Sequence, residues 1–304
     1  MMNHVERNRG FTLVELMISL TIGLFLVGAM LTTLMTSAAM GRTHERASDV
    51  RTNGDYALSI VKRDVQHAGH LGLTSVFSPD APLDSAKFPV TNVCDEARVG
   101  QISQRIWGDN DNNPYASTCL KSADYSAGDV LVVRRLSTSQ AGSLADNVLY
   151  YRSSYEGGDY FTSKAAPTAL RQPPLVDYRL EETVYYVSPY TVSADESPRV
   201  PALYRLKLTD GPKMQPELVA TGVENFQVRY GVVDSAGNSQ YLDANNVGTK
   251  WDLVSSVEVS LLVRAAAKEP GYTASVTYKI GDKTITAADG YRRLVFSTVV
   301  QMRN

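Results

Sequence analysis

Between Phe11 and Met40 the chain carries one charged side chain, Glu15. Behind it lie 25 uncharged residues, Leu16 to Met40. As a helix they would extend about 37 Å, more than the roughly 30 Å hydrocarbon core of a bilayer. The short leader before this run holds Arg7 and Arg9 against Glu6. That bias favours an N-terminus kept in the cytoplasm and places the rest of the chain beyond the inner membrane. A cleaved secretory signal, with Ser37-Ala38-Ala39 as its small-residue site, is disfavoured because the apolar core is about twice the 7 to 15 residues such signals use. A plain signal anchor explains the hydrophobicity but not Glu15, since a carboxylate carried to the centre of a membrane helix costs about 3 kcal/mol.

Both oddities have a place in one motif. Gly10-Phe11-Thr12-Leu13-Val14-Glu15-Leu16 resembles the class III signal of type IV pilins and pseudopilins. The resemblance implies that a prepilin peptidase cuts between Gly10 and Phe11, that Phe11 becomes an N-methylated terminus, and that the apolar segment stays on the mature protein. It also implies that the Glu15 carboxylate meets the N-terminal ammonium of a neighbouring subunit during assembly. A charge in low dielectric is tolerated chiefly when it is paired, which suits that role.

Beyond Met40 the helical rhythm continues. Leu58, Val61, Val65 and Ala68 recur at steps of three and four, which predicts an apolar stripe for a sheet to cover, and Gly69 and Gly72 supply a stop. The uninterrupted helix, Phe11 to about Ala68, would run about 87 Å. Gly23, Gly28, Gly41 and Gly54 are its expected points of weakness, at about 1 kcal/mol each. Thr52-Asn53-Gly54-Asp55-Tyr56-Ala57-Leu58, followed by Asp64, Ala68 and Gly69, is similar to the second helix signature of PilW-type minor pilins. The chain departs from that pattern at Asp55, where a basic residue is usual, and at Leu73, where a cysteine would follow the glycine.

Net charge is −2, and the part after residue 72 holds 23 Lys and Arg against 26 Asp and Glu. No broad basic field exists for nucleic acid. Cys94 and Cys119 fall in the exported part, where an even pair is most simply a disulfide. The loop it closes, about 26 residues, would stabilise the fold by about 3.5 kcal/mol. The pairing is inferred from this chain alone, because Leu73 breaks the family's arrangement. Residues 73–128, with turn signals at Ser78-Pro79-Asp80 and Asn113-Pro114, read as an irregular stretch stapled by that bond. Within it Asp109, Asp111 and Asn113 alternate like the opening of an EF-hand. Pro114 at the sixth position and Leu120 at the twelfth break the match, so a solvated turn is expected there in preference to calcium.

From Gly128 onward, short β-branched and aromatic runs bounded by turn residues predict strands over Val130–Leu136, Val148–Tyr151, Thr183–Val187, Ala202–Leu208, Val223–Val233, Val254–Val263, Ala274–Ile280 and Leu294–Met302. The expected fold is α+β and type IV pilin-like, with half-buried antiparallel strands packed on the long helix. It divides into a leader (1–10), a helix (11–72, its membrane and assembly part 11–40) and a β-rich periplasmic head (73–304). The Trp251–Val257 stretch and the ending Tyr291–Asn304 are similar to the closing strands of PilW proteins.

No nucleophile elbow, P-loop or dinucleotide fingerprint is present. His67 and His70 lack further ligands at metal spacing and read as a solvated helix end. No cofactor and no catalysis are expected. The resemblance implies an inner-membrane prepilin that joins a type IV pilus with other minor pilins and the major pilin through the inner-membrane assembly platform. It further implies a place in a priming complex at or near the tip, presenting a PilY-type adhesin. Two other readings stay open: a J-type pseudopilin of a type II secretion system, and a membrane-anchored periplasmic binding protein or enzyme.

Overall fold

The computed structural model describes residues 10–74, 94, 101–102, 104–162, 173–233 and 237–303. The leader arginines and the Ser78-Pro79-Asp80 turn lie outside them. Two compact units divide at Ser48 and Asp49.

The first unit is the start of helix α1, Leu13–Gln66. It begins with a cap: Thr12 Oγ1 accepts a hydrogen bond from the Glu15 backbone N–H at 3.3 Å, and the Thr12 carbonyl accepts the first helical bond from Leu16. The helix runs through Gly23, Gly28 and Gly41 without a break. Its large apolar side chains point outward, with Phe11 and Phe25 each 81% exposed. Its hydroxyls turn inward instead. Ser19, Thr21, Thr32, Thr33 and Thr36 each donate to a carbonyl three or four residues back. Every one of these polar groups is thus satisfied within the helix, which is what an apolar solvent demands. Among the described residues α1 is the one helix long and apolar enough to cross a membrane.

The second unit is the head, including the last third of α1. Its larger sheet has seven antiparallel strands: β1 (Ile106–Asp109), β2 (Val130–Gln140), β3 (Tyr150–Ser154), β4 (Gly157–Phe161), β5 (Val176–Ser188), β6 (Ala202–Thr209) and β7 (Lys213–Thr221). They run in the order β1-β2-β5-β3-β4, and β6 and β7 extend from the second half of β5. The smaller sheet orders β13 (Arg293–Gln301), β10 (Val254–Arg264), β8 (Val223–Val233) and β9 (Ser239–Leu242). A short helix α2 (Ala244–Val247) follows β9, and β11 (Val276–Ile280) and β12 (Lys283–Ala287) form a separate hairpin.

The predicted helix stripe packs as a core element. Val61, Val65 and Ala68 are buried with Leu131, Val133, Tyr185 and Leu203 of the larger sheet and with Phe226, Val228, Val257, Val259 and Leu261 of the smaller one, whereas Leu58 is only partly buried and Ala57 beside it takes the core position. Both sheets therefore converge on the helix, where one had been expected to cover it. The larger sheet is also buried on its other face. There Val130, Val132, Leu136, Leu180, Val184 and Tyr186 pack against Leu71, Cys94, Ile102, Tyr115 and Leu120. This corrects the expectation of half-buried strands throughout: β2 and β5 read as nearly continuous apolar runs because the stretch around the disulfide covers their outer side. The stretch itself is not wholly irregular, since β1 joins the sheet from within 73–128.

Gly54 also departs from its expected role. A Cβ there would lie 2.3 Å from the Phe296 ring, so the missing side chain lets β13 approach the helix. The helix stops where the glycines foretold. Gly69 adopts a φ of 77°, its N–H donates to the Arg134 carbonyl at 2.9 Å, and a Cβ there would meet the Arg105 side chain at 2.8 Å.

Candidate functional site

Two places in the chain carry the residues singled out by sequence. At the N-terminus, Gly10 has open space around it and precedes the helix, so the Gly10–Phe11 bond sits in accessible, non-helical chain. Glu15 stands in the first turn, exposed, as the N3 partner of Thr12. The pair forms a Thr-x-x-Glu sequence of the capping-box type, a signal that the spacing alone carries. The negative charge also suits the positive end of the helix dipole. Glu15 thus has a local reason to exist in addition to any role between subunits.

The second place is the junction of α1 with the larger sheet, and its centre is Asp64 of the helix signature. Asp64 is 2% exposed. Tyr185 of β5 donates its hydroxyl to Asp64 Oδ2 at 2.5 Å, Arg205 Nη1 of β6 lies 3.5 Å from the same oxygen, and Arg135 Nη2 of β2 lies 3.4 Å from Oδ1. Each arginine is held in turn by a second carboxylate, Arg135 by Glu181 at 2.5 Å and Arg205 by Glu217 at 2.8 Å. Burial, followed by the neighbouring Asp64 charge, pushes the Tyr185 hydroxyl well above its ordinary pKa, so it remains a donor at any physiological pH. One carboxylate therefore ties the helix to three strands.

Cys94 and Cys119 are joined, with Cα atoms 4.7 Å apart. Asp109, Asp111 and Asn113 do not converge. Asp109 accepts from Asn112, Asp111 is engaged by Gln227 and Lys283, and the Asn113 side chain bonds the Leu120 carbonyl and the Tyr115 N–H. Among the described residues no group of three or more His, Cys, Asp or Glu side chains is arranged to hold a metal. His67 bonds the Arg63 carbonyl through Nδ1 at 2.8 Å, and His70 stands edge-on to Tyr178. Burial, then the charges of His67 and Arg135, lowers the His70 pKa, so the site is less solvated than the helix end expected.

Asp129, unnoticed in the sequence, is a buried carboxylate bridging the two sheets. It accepts from the Asp111 N–H at 3.0 Å and the Val228 N–H at 2.7 Å. Burial raises its pKa to about 7 from an ordinary 3.8. The two N–H bonds oppose the rise, and the charges of Asp111 and Asp282 add to it. The folded head thus holds a proton that the unfolded chain releases. The stabilisation is full below about pH 4 and is lost as pH rises through 7. We predict that the head is more stable at pH 5 than at pH 8 by about 2 kcal/mol from this group. The depressed His70 acts in the opposite sense, so the difference in melting temperature between wild type and Asp129→Asn isolates the effect. Equal pH dependence in the two proteins would refute it.

A methylation-type N-terminus followed by one membrane-length helix, and a two-sheet head built around the end of that helix, give the chain a type IV pilin-like architecture. Residues 6–31 match the family model for the prokaryotic N-terminal methylation motif. Residues 184–304, from mid-β5 to the C-terminus, match that of PilW, the type IV pilus-assembly protein W. Over these segments the chain resembles the PilW-type minor pilins. No curated protein matches it. Among solved structures it is similar to a type IV-like pilin from Thermus thermophilus, at 15% identity over 86% of this chain and 95% of that one, with a TM-score of 0.34. Pilins of this family are structural subunits and interact with other pilus components.

Proposed function

We propose that the chain is a low-abundance pilus subunit that is cut between Gly10 and Phe11, methylated on Phe11, and built with other minor pilins into a complex that primes assembly at the pilus tip. In this reading the N-terminus faces the cytoplasm before assembly, the head lies in the periplasm, and a PilY-type adhesin is presented from the finished tip. Prepilin peptidase, the assembly platform and the major pilin are its successive partners. The observation that carries the reading is the union, in one chain, of the methylation motif at residues 6–31 with a PilW head at residues 184–304.

The helix supplies the means. Its outward apolar side chains and inwardly bonded hydroxyls suit both a lipid environment and the apolar interior of a helix bundle. Residues 11–40 would therefore move from one to the other without exposing unsatisfied polar groups.

Intact-mass measurement of the chain recovered from membranes tests the maturation step. The expected mass begins at Phe11 and includes one added methyl group. A chain that begins at Met1 would instead indicate a plain anchor, and one that begins near Met40 an ordinary secreted protein. Recovery in sheared pili, together with loss of piliation on deletion of the gene, tests the priming role.

A further inference from the structure

We propose that the free edge of β13 receives an extended, uncharged strand from a different subunit of the pilus, which adds itself as a fifth strand to the four-stranded sheet. The inference rests on the pilus-subunit reading above and names a surface through which such a subunit would be joined.

A sheet edge offers a row of unpaired N–H and C=O groups, and folded proteins usually blunt it with short strands, proline or charge. The other edges of the two main sheets are blunted in this way. β1 and β9 have four residues each, β4 has five and opens with two glycines, and β7 carries Pro216 between Lys213 and Glu217. β13 has none of these protections. It is nine residues long, RLVFSTVVQ, with no proline, no glycine and no charge after Arg293. Among the described residues β10 is the single strand that pairs with it.

The side chains point the same way. Along β13, Phe296 and Val300 belong to the face that meets α1, and Val300 is buried there. On the opposite face Val295 and Val299 are 40% and 56% exposed, and at the start of the strand Leu294 is 39% exposed. An added strand with apolar residues at alternate positions would pair beside these valines, and charge on it would have no partner. The edge is also held in place: the Met302 N–H donates to the Ser255 carbonyl and the Arg303 N–H to the Gln66 carbonyl, both at 3.0 Å. A pre-positioned edge loses little conformational freedom on pairing.

A second copy fits less well. Phe296 faces Gly54 and Arg303 faces Gln66, so β13 runs in the same direction as the α1 segment beside it. Antiparallel pairing of two β13 edges would turn those helix segments in opposite directions, which chains inserted in one membrane in the same sense do not present.

The test uses full-length protein in piliated cells, with a photoreactive amino acid at Val299 and, as control, at Leu218 on the proline-bearing edge. The expected result is a cross-link from position 299, and not from 218, to another protein of the pilus, identified by mass spectrometry. In parallel, Val295→Lys with Val299→Lys should lower recovery of the chain in sheared pili by on the order of tenfold. Its membrane level and protease resistance should match wild type, since both sites are exposed. A cross-link from position 299 only to a second copy of the chain, no cross-link to any pilus protein, or wild-type recovery of the lysine variant would each overturn the edge proposal. Absence of the wild-type chain from pili would instead overturn the subunit reading on which it rests.

Discussion

Replacing Asp64 by alanine should destabilise the head by about 3 kcal/mol, which for a domain of this size lowers the melting temperature by about 6 to 12 °C. Two losses add. The Tyr185 hydroxyl, in a residue with 0% exposure, is left without an acceptor, and an orphaned buried donor costs about 1 to 3 kcal/mol. Arg135 and Arg205 lose one of two carboxylate partners but keep Glu181 and Glu217, so the effect falls short of stranding a buried cation. Asp64→Asn keeps an oxygen for Tyr185 and should cost about half as much. Tyr185→Phe removes the donor itself and should cost about 1 kcal/mol. The double variant Asp64→Ala with Tyr185→Phe should then be clearly less unstable than the sum of the two, because each single change already removes the shared bond. Strict additivity in thermal or urea unfolding would mean that the bond contributes nothing.

This junction shows how far the sequence could be read. Asp64, Ala68 and Gly69 are visible as a family signature, yet nothing local says what the aspartate does. Its partners lie 71, 121 and 141 residues further along the chain. Only the strand order β2-β5-β6 brings them together. Strands with strict alternation are legible: β8 has both predicted ends, and the buried row Val257, Val259, Leu261 and Val263 of β10 lies within its predicted span. β7 escapes because Lys213, Pro216 and Glu217 read as loop, although an edge strand tolerates all three. β4 escapes through its paired glycines. The Thr12 cap and Asp129 were within reach in different degrees. The first follows from spacing alone, whereas the second depends on an N–H from Asp111 and another from Val228, 99 residues away.

Glu15→Gln and Glu15→Ala together should separate the two roles that the helix start allows. If Glu15 serves chiefly as the N3 residue of the Thr12 cap, glutamine replaces it well, and alanine costs about 1 kcal/mol at the frayed end of a helix of 54 residues. If its charge meets the ammonium of a neighbouring subunit, both substitutions strand that ammonium in an apolar bundle, at about 3 kcal/mol, or on the order of a hundredfold in incorporation. Both variants should still be cut after Gly10, because the scissile bond is accessible and lies outside the helix. Both should accumulate as mature chain in the membrane and be nearly absent from sheared pili. Normal incorporation of Glu15→Gln with loss of Glu15→Ala would reduce Glu15 to a cap, and normal incorporation of both would leave its position at the head of 25 uncharged residues without an assembly role.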